Sequence, residues 1–347
     1  MNISQYLISY PYKLIWRVHK LIRKSYQVDF YCGGYTDYIC FKSIHRLKPE
    51  IRIVARNRKT QNELASYGIK SVAYPTFPDM VIMARHLARK YPESRIIKIG
   101  MRHGAYHFKD FVASHKYNAF DNFMLTSTHE VSLATEKGIT NGLAIGFPKI
   151  DPMFNGEITT KELAQLKDKL RLDPAKKTIL FTATWDRNGY SAVDKWIDRI
   201  EELSTDYNVL VTVHQWLSPQ KKELLANYQH IRYIKDKDIL PYLMISDVMI
   251  ADISSIIAEF CSLNKPIITF RIAEIKRFTN EISTMLDEIS YRIDTFDELR
   301  DALLRAIEHP EQHAEKRMYY NRIMFDELDG KASQQAIKVI DELRGEL

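Results

Sequence analysis

ISDVMIADISSIIAEFCSLNKPIITF, residues 245–270, decides the fold. Residues 248–251 form an apolar run of strand length that stops at Asp252. Ser254 and Ser255 then stand where a helix opens, and that helix runs over 255–263. A second β-rich run follows over 266–270. Strand, helix and strand in one short stretch make a βαβ unit, whose two strands must lie parallel.

The same alternation continues on both sides. Upstream in this half, strands are expected over 178–182, 209–213 and 231–234, with helices over 192–203, 219–226 and 239–245. The first half repeats the pattern, with strands over 28–31, 51–55, 72–73, 96–99, 123–125 and 143–145. Its helices are expected over 35–47, 59–67 and 78–90. The pattern breaks at GFPKIDP, residues 146–152, followed by a polar helix over 160–172 and Asp173-Pro174. The expected architecture is α/β, with a Rossmann-like domain over 26–150, a connection over 151–176, a second Rossmann-like domain over 177–310 and a helical tail over 311–347. In such sheets ligands sit beyond the carboxyl ends of the strands, so the loops after the strands are the place to look for chemistry.

The chain has 347 residues, 45% hydrophobic and 27% charged, which excludes a disordered protein. Its three cysteines, Cys32, Cys40 and Cys261, form no CxxC pair, so a disulfide framework or a structural zinc site is not expected, and a reducing compartment is. The net charge of +6 is local. Residues 1–24 hold Lys13, Arg17, Lys20, Arg23 and Lys24 and no acid, leaving 45 basic against 44 acidic residues elsewhere. That balance argues against a nucleic-acid surface. Leu14, Val18 and Leu21, with Ile15 and Ile22 beside them, share one helical face from Pro11 to Lys24. Lys13, Arg17, Lys20 and Lys24 take the other, and Tyr6, Tyr10, Tyr12 and Trp16 add aromatics suited to an interface. Residues 1–25 read as a helix lying on an anionic membrane surface; the alternative is a helix packed on the domain.

The mouth of the helix after Asp252 is a natural anion site. First-turn N–H groups and the positive end of the helix dipole point outward, beside two hydroxyls. The plainer reading is that Ser254 only caps the helix. Here the sequence resembles a family. Ser246-Asp247, Asp252-Ile-Ser-Ser255, Glu259-Phe260 and Asn264-Lys-Pro266 look like the "SDVxIxDxSSxxxEFxxLxKPII" signature of CDP-glycerol glycerophosphotransferases, the teichoic-acid-type polymerases and primases. Met101-Arg-His-Gly104 resembles the family's "WHG" loop, with Lys109 near its following lysine. Gly146-Phe-Pro-Lys-Ile-Asp151 resembles "GxPRxD", Phe181-Thr-Ala-Thr-Trp185 "xxPTW", and Val211-Thr-Val-His214 "KxHP". Arg102, Thr212, Gln215 and Ala183 depart from these patterns.

The resemblance implies a GT-B fold, with the acceptor domain first, the donor-nucleotide domain second and a cleft between them. It implies transfer of glycerol phosphate, or another polyol phosphate, from a CDP-activated donor to a hydroxyl of a lipid-linked or saccharide acceptor, with release of CMP. His103 would be the base, a role its ring suits near neutral pH. His214, Ser254 and Ser255 would hold the donor phosphates. Glu259 would meet the ribose hydroxyls or lie on a solvated helix face, and Asp252 would orient the serine loop or bind substrate. Trp185 and Asp186 are weaker candidates for the nucleotide, and Lys109 and Lys149 for phosphate. No cofactor is implied. His103 and His107, four apart, lack the glutamate of a zinc helix, so no metal is expected. The location implied is the cytoplasmic face of the cell membrane. The rival functions are a glycosyltransferase using a nucleotide sugar and a non-catalytic nucleotide-binding component of a surface-polymer complex. P-loop, hydrolase-elbow and dinucleotide glycine motifs are missing.

Overall fold

The computed structural model describes residues 3–105, 111–186, 189, 191–272 and 280–345, with side chains from 9 onward and, after the gap, from 281. The chain divides into two compact units. The first comprises Met1–His103, Phe111–Asp151 and Asp329–Leu347, and the second Gly104–Asp110 and Pro152–Leu328.

The first unit holds a parallel sheet of β1 (Val28–Cys32), β2 (Arg52–Ala55), β3 (Val72–Ala73), β4 (Met80–Met83), β5 (Ile97–Met101), β6 (Asn122–Leu125) and β7 (Gly142–Ala144), in the order β3-β2-β1-β4-β5-β6-β7. Its helices are α1 (Ile3–Ile22), α2 (Tyr35–Leu47), α3 (Arg58–Ser66) and α4 (Thr128–Glu136). β1 and β4 are buried along their whole length, as strands covered on both faces must be. Gly100 of β5 is paired with Phe123 of β6, and a Cβ on it would stand 2.2 Å from the Phe123 ring, so only glycine lets that ring pack.

The second unit opens with α5 (Thr160–Leu170), entered through a Thr159–Glu162 capping box. Its sheet contains β8 (Thr178–Ala183), β9 (Asn208–Val213), β10 (Ile231–Tyr233), β11 (Val248–Ala251), β12 (Ile267–Phe270) and β13 (Tyr291–Ile293), in the order β10-β9-β8-β11-β12-β13. Around it lie α6 (Pro219–Asn227), α7 (Leu240–Ile245), α8 (Ile256–Cys261), α9 (Asn280–Ile289), α10 (Leu299–Glu308) and α11 (Ala314–Phe325). The last helix, α12 (Ala332–Gly345), belongs to the first unit. Asp151 caps it by accepting from the N–H groups of Ala332 (3.2 Å) and Ser333 (2.7 Å), and Lys48 pairs with Asp341 at 2.7 Å.

Several expectations change. The stretch expected as a helix over 78–90 contains β4, because Met80-Val-Ile-Met83 fills the centre of the sheet. Residues 152–176, expected as a connection, belong to the second unit, where the Leu170 carbonyl accepts from Arg232 Nε at 2.7 Å. The expected tail is shared between the units. Residues 192–203 form short 3₁₀ turns instead of one helix.

The N-terminal helix docks by an unexpected face. Tyr12 Oη donates to the Thr76 carbonyl and Trp16 Nε1 to that of Pro78, both at 2.6 Å. Lys20 (2.6 Å) and Arg23 pair with buried Asp79, and His19 stacks on Phe77. Tyr12 and Trp16 are therefore core residues and not interfacial aromatics, because each finds a carbonyl for its polar hydrogen while burying its ring. Leu14, Ile15, Val18, Leu21 and Ile22 face outward, with Leu21 87% exposed. Among the described residues no helix is long and apolar enough to cross a membrane.

Candidate active site

The second sheet reverses its direction of growth between β8 and β11. β9 and β10 extend it on one side, β12 and β13 on the other. Loops leaving β8 and β11 therefore diverge and open a crevice at their carboxyl ends. Asp252, the first residue after β11, spans it. Only 1% exposed, it accepts from the N–H groups of Thr184 (2.9 Å) and Ala192 (3.3 Å) and from Ser191 Oγ (3.2 Å), all in the segment after β8. It also accepts from Ile253 N–H (2.6 Å) and Ser254 N–H (3.1 Å) in its own loop. Burial pushes its carboxyl pKa up, and these donors pull against it. Every one of these partners is a donor, which suits the ionised form. Asp252 is thus turned inward and accepts from the backbone of both loops.

Ser254 and Ser255 sit half-buried beside it. Ser255 precedes α8 and its side chain makes no capping bond, so the hydroxyl is not spent on the helix. The helix is shorter than expected, ending at Cys261, so hydroxyls and first-turn amides weigh more than its dipole. Glu259, in its first turn, is only 4% exposed, which removes the solvated-face reading. The rest of the sequence signature is architectural. Asn264 has a left-handed backbone (φ 53°) and accepts from Arg317 Nε through Oδ1 at 3.0 Å. Lys265 Nζ reaches the carbonyls of Met244 (2.6 Å) and Ser246 (2.8 Å), and burial lowers its pKa to about 8.

His214 follows β9, next to β8. Trp216 N–H donates to His214 Nδ1 at 3.2 Å, so the neutral ring carries its proton on Nε2, where it is a donor. Trp216 packs edge-on against both His214 (5.2 Å) and Trp185 (5.6 Å). Asp186 accepts from Ser218 N–H at 3.0 Å and pairs with Lys221 at 3.1 Å, which fixes the same loops. Trp185, His214, Asp252, Ser254, Ser255 and Glu259 thus all belong to the carboxyl side of β8, β9 and β11. Sequence reasoning missed Trp216 and Ser191; a tryptophan two residues after the strand-end His214 was the available signal for the first.

In the first unit, exposed His103 follows β5. Its carbonyl accepts from Cys40 Sγ at 3.4 Å. The preceding Arg102 donates its N–H to the Met124 carbonyl (3.2 Å) and pairs with fully buried Glu130 at 2.6 Å. The other Glu130 oxygen accepts from Thr126 N–H (2.7 Å) and Oγ1 (3.1 Å). The Arg102 guanidinium also lies over the Phe111 ring. This network explains how an arginine stands where the resembling family has an aromatic residue. Lys149 is half-buried in a 3₁₀ turn, Pro148–Met153. Lys109 and His107 lie outside the described residues. Among the described residues no group of three His, Cys, Asp or Glu is placed to hold a metal ion.

The family model of CDP-Glycerol:Poly(glycerophosphate) glycerophosphotransferases matches residues 103–342, and the chain belongs to that family. It is 26% identical over 221 residues to a teichoic acid poly(ribitol-phosphate) polymerase of Bacillus spizizenii, covering 59% of this chain and 34% of that one. It is 24% identical over 234 residues to a teichoic acid glycerol-phosphate primase of Bacillus subtilis, covering 65% and 59%. The chain thus spans less than two thirds of these curated relatives. A solved structure of the wall teichoic acid polymerase TagF superposes with a TM-score of 0.72 at 17% identity, over 100% of this chain and 99% of that one. A UDP-GlcNAc 2-epimerase from Neisseria meningitidis gives 0.63 at 14% identity, over 91% and 100%. The two parallel sheets share this GT-B-like fold.

Proposed function

We propose that the chain transfers a polyol phosphate, glycerol phosphate first, from a CDP-activated donor to a hydroxyl of a lipid-linked or saccharide acceptor in wall-polymer synthesis. The observation that carries this is the second unit's crevice, in a member of this family: Asp252 holds the loops after β8 and β11, which sets Ser254 and Ser255 as neutral donors for a diphosphate, and His214 adds its Nε2–H from the end of β9. The acceptor oxygen bonds to the β-phosphorus, the anhydride bond to CMP breaks, and CMP leaves with the electron pair. His103 takes the hydroxyl proton. Glu259 and Trp185 serve the nucleoside, and Lys149 and Lys109 the phosphates of the substrates.

A panel of CDP-glycerol, CDP-ribitol and nucleotide sugars, read by released nucleotide, tests the reading. CMP release from a CDP-polyol with acceptor is expected. Turnover confined to a nucleotide sugar makes the chain a glycosyltransferase instead. His103→Ala should lower turnover by roughly 10²- to 10⁴-fold, the usual worth of a general base. Unchanged transfer removes His103 from that role, and donor binding without any turnover favours a non-catalytic component.

The enzyme works at the inner membrane face in this proposal, with α1 as its contact. The outward row of Leu14, Val18, Leu21 and Ile22 suits the acyl boundary, and Lys13, Arg17 and Lys24 suit anionic headgroups. Removing residues 1–24 is a poor test, because Asp79 would lose both cations. Leu14→Gln with Leu21→Gln spares the docked face and should weaken binding to anionic liposomes at least tenfold. Binding equal to that of the parent chain rejects the membrane contact.

A further inference from the structure

The carboxyl edge of the first sheet holds a cluster that the reaction above does not use. Arg56 stands just past β2, its N–H donating to the Cys32 carbonyl at the end of β1 (2.9 Å). Tyr74 N–H donates to the Ala55 carbonyl at 2.9 Å, and Tyr74 Oη to the Lys90 carbonyl at 2.7 Å, which brings Lys90 to the same edge. The Lys90 ammonium lies 4.6 Å from the Tyr74 ring centre and 5.7 Å from that of Tyr31.

Among the described residues neither Arg56 nor Lys90 pairs with a carboxylate. Burial, and then the Arg56 charge, lowers the Lys90 pKa, so the two cations sit close enough to repel. Tyr31 is fully buried, yet its hydroxyl has no hydrogen-bond partner. Arg56 is the charge that acts on it most strongly. The nearby acids are otherwise engaged. Asp37 accepts from Gly33 N–H (2.9 Å) and Arg85 Nε (2.7 Å), and Glu63 stands by Gly34 on α3. Two cations without an acid and a buried phenol without an acceptor all lack the same thing, an anion with several acceptor oxygens.

We propose that Arg56, Lys90 and the Tyr31 hydroxyl form a phosphate-binding subsite at the carboxyl edge of β1 and β2. Arg56 offers a planar pair of donors, Lys90 a point charge and Tyr31 a single donor. The ligand class is a phosphate ester. The step from there to the phosphate of a phosphorylated acceptor rests on the proposed function; the subsite itself does not.

Direct titration of the full chain, without donor or turnover, separates the two. Inorganic phosphate and glycerol 3-phosphate should each bind, and glycerol should not. Arg56→Gln and Lys90→Gln should each weaken that binding at least tenfold, and more at low salt than at high salt. Tyr31→Phe should weaken it severalfold with an unchanged melting temperature, since it removes an unpartnered hydroxyl. Ser254→Ala should keep this component. Equal binding in Arg56→Gln and Lys90→Gln, or loss in Ser254→Ala alone, overturns the subsite. If glycerol 3-phosphate binds more tightly than inorganic phosphate, the source is an ester; equal binding assigns free phosphate. An intact subsite in a chain inactive with every donor would remove the proposed function and leave the subsite standing.

Discussion

Each sheet reverses its growth once, and at each reversal a buried aspartate bridges the two departing loops. In the first unit Asp37 joins Gly33, after β1, to Arg85, after β4. In the second, Asp252 joins the segment after β8 to that after β11. The partners differ. Asp37 leans on a guanidinium that is 42% exposed, whereas Asp252 is surrounded by backbone amides and one hydroxyl. A charged partner that reaches water is free to rehydrate; buried amides are not. The bridge in the second unit is therefore the costlier of the two to break.

Substitution is the strongest way to break this comparison. Asp252→Ala strands several buried donors at once and should cost about 3–5 kcal/mol in chemical denaturation, with loss of donor binding. Asp37→Ala should cost only about 1–2 kcal/mol, because Arg85 hydrates. Equal losses would mean that the two bridges are energetically alike.

The units should also differ in pH response. His86, stacked on Phe123, has its pKa lowered to about 4 by burial and by Arg102. As pH falls from about 6.5 to 4 the unfolded chain takes up a proton that the folded one refuses, so the first unit loses stability. His86→Phe should flatten that slope. Burial lowers the Lys265 pKa from 10.5 to about 8, so between those values the unfolded chain holds the extra proton and the second unit gains stability as pH rises. Lys265→Met should remove the alkaline slope. Melting temperatures across both windows check the two together, and parallel profiles in parent and variants would refute the assignment.

The alternation of strands and helices was legible because apolar runs bounded by Gly, Pro and Asp read locally. β4 was not, since Met-Val-Ile-Met after Pro78 suits either structure, and only the neighbours β1 and β5 decide it. The amphipathicity of α1 was correct as a pattern but misleading about which side docks. Tyr12 and Trp16 are buried and each satisfies a polar hydrogen on a carbonyl, which aliphatic side chains do not do. In the candidate site, Asp252 and the serines were found through one contiguous stretch. The Arg102–Glu130 pair, and Ser191 on Asp252, join residues far apart in sequence, and nothing local marks them.

The Asp151 cap on α12 has a consequence for biosynthesis. Ribosomes deliver the first unit's closing helix only after all of the second unit has been made. The earlier sheet must wait with one flank uncovered while a complete neighbour folds inside its span. The helix that follows the second unit, and not the strands that precede it, sets when the amino-terminal half is finished.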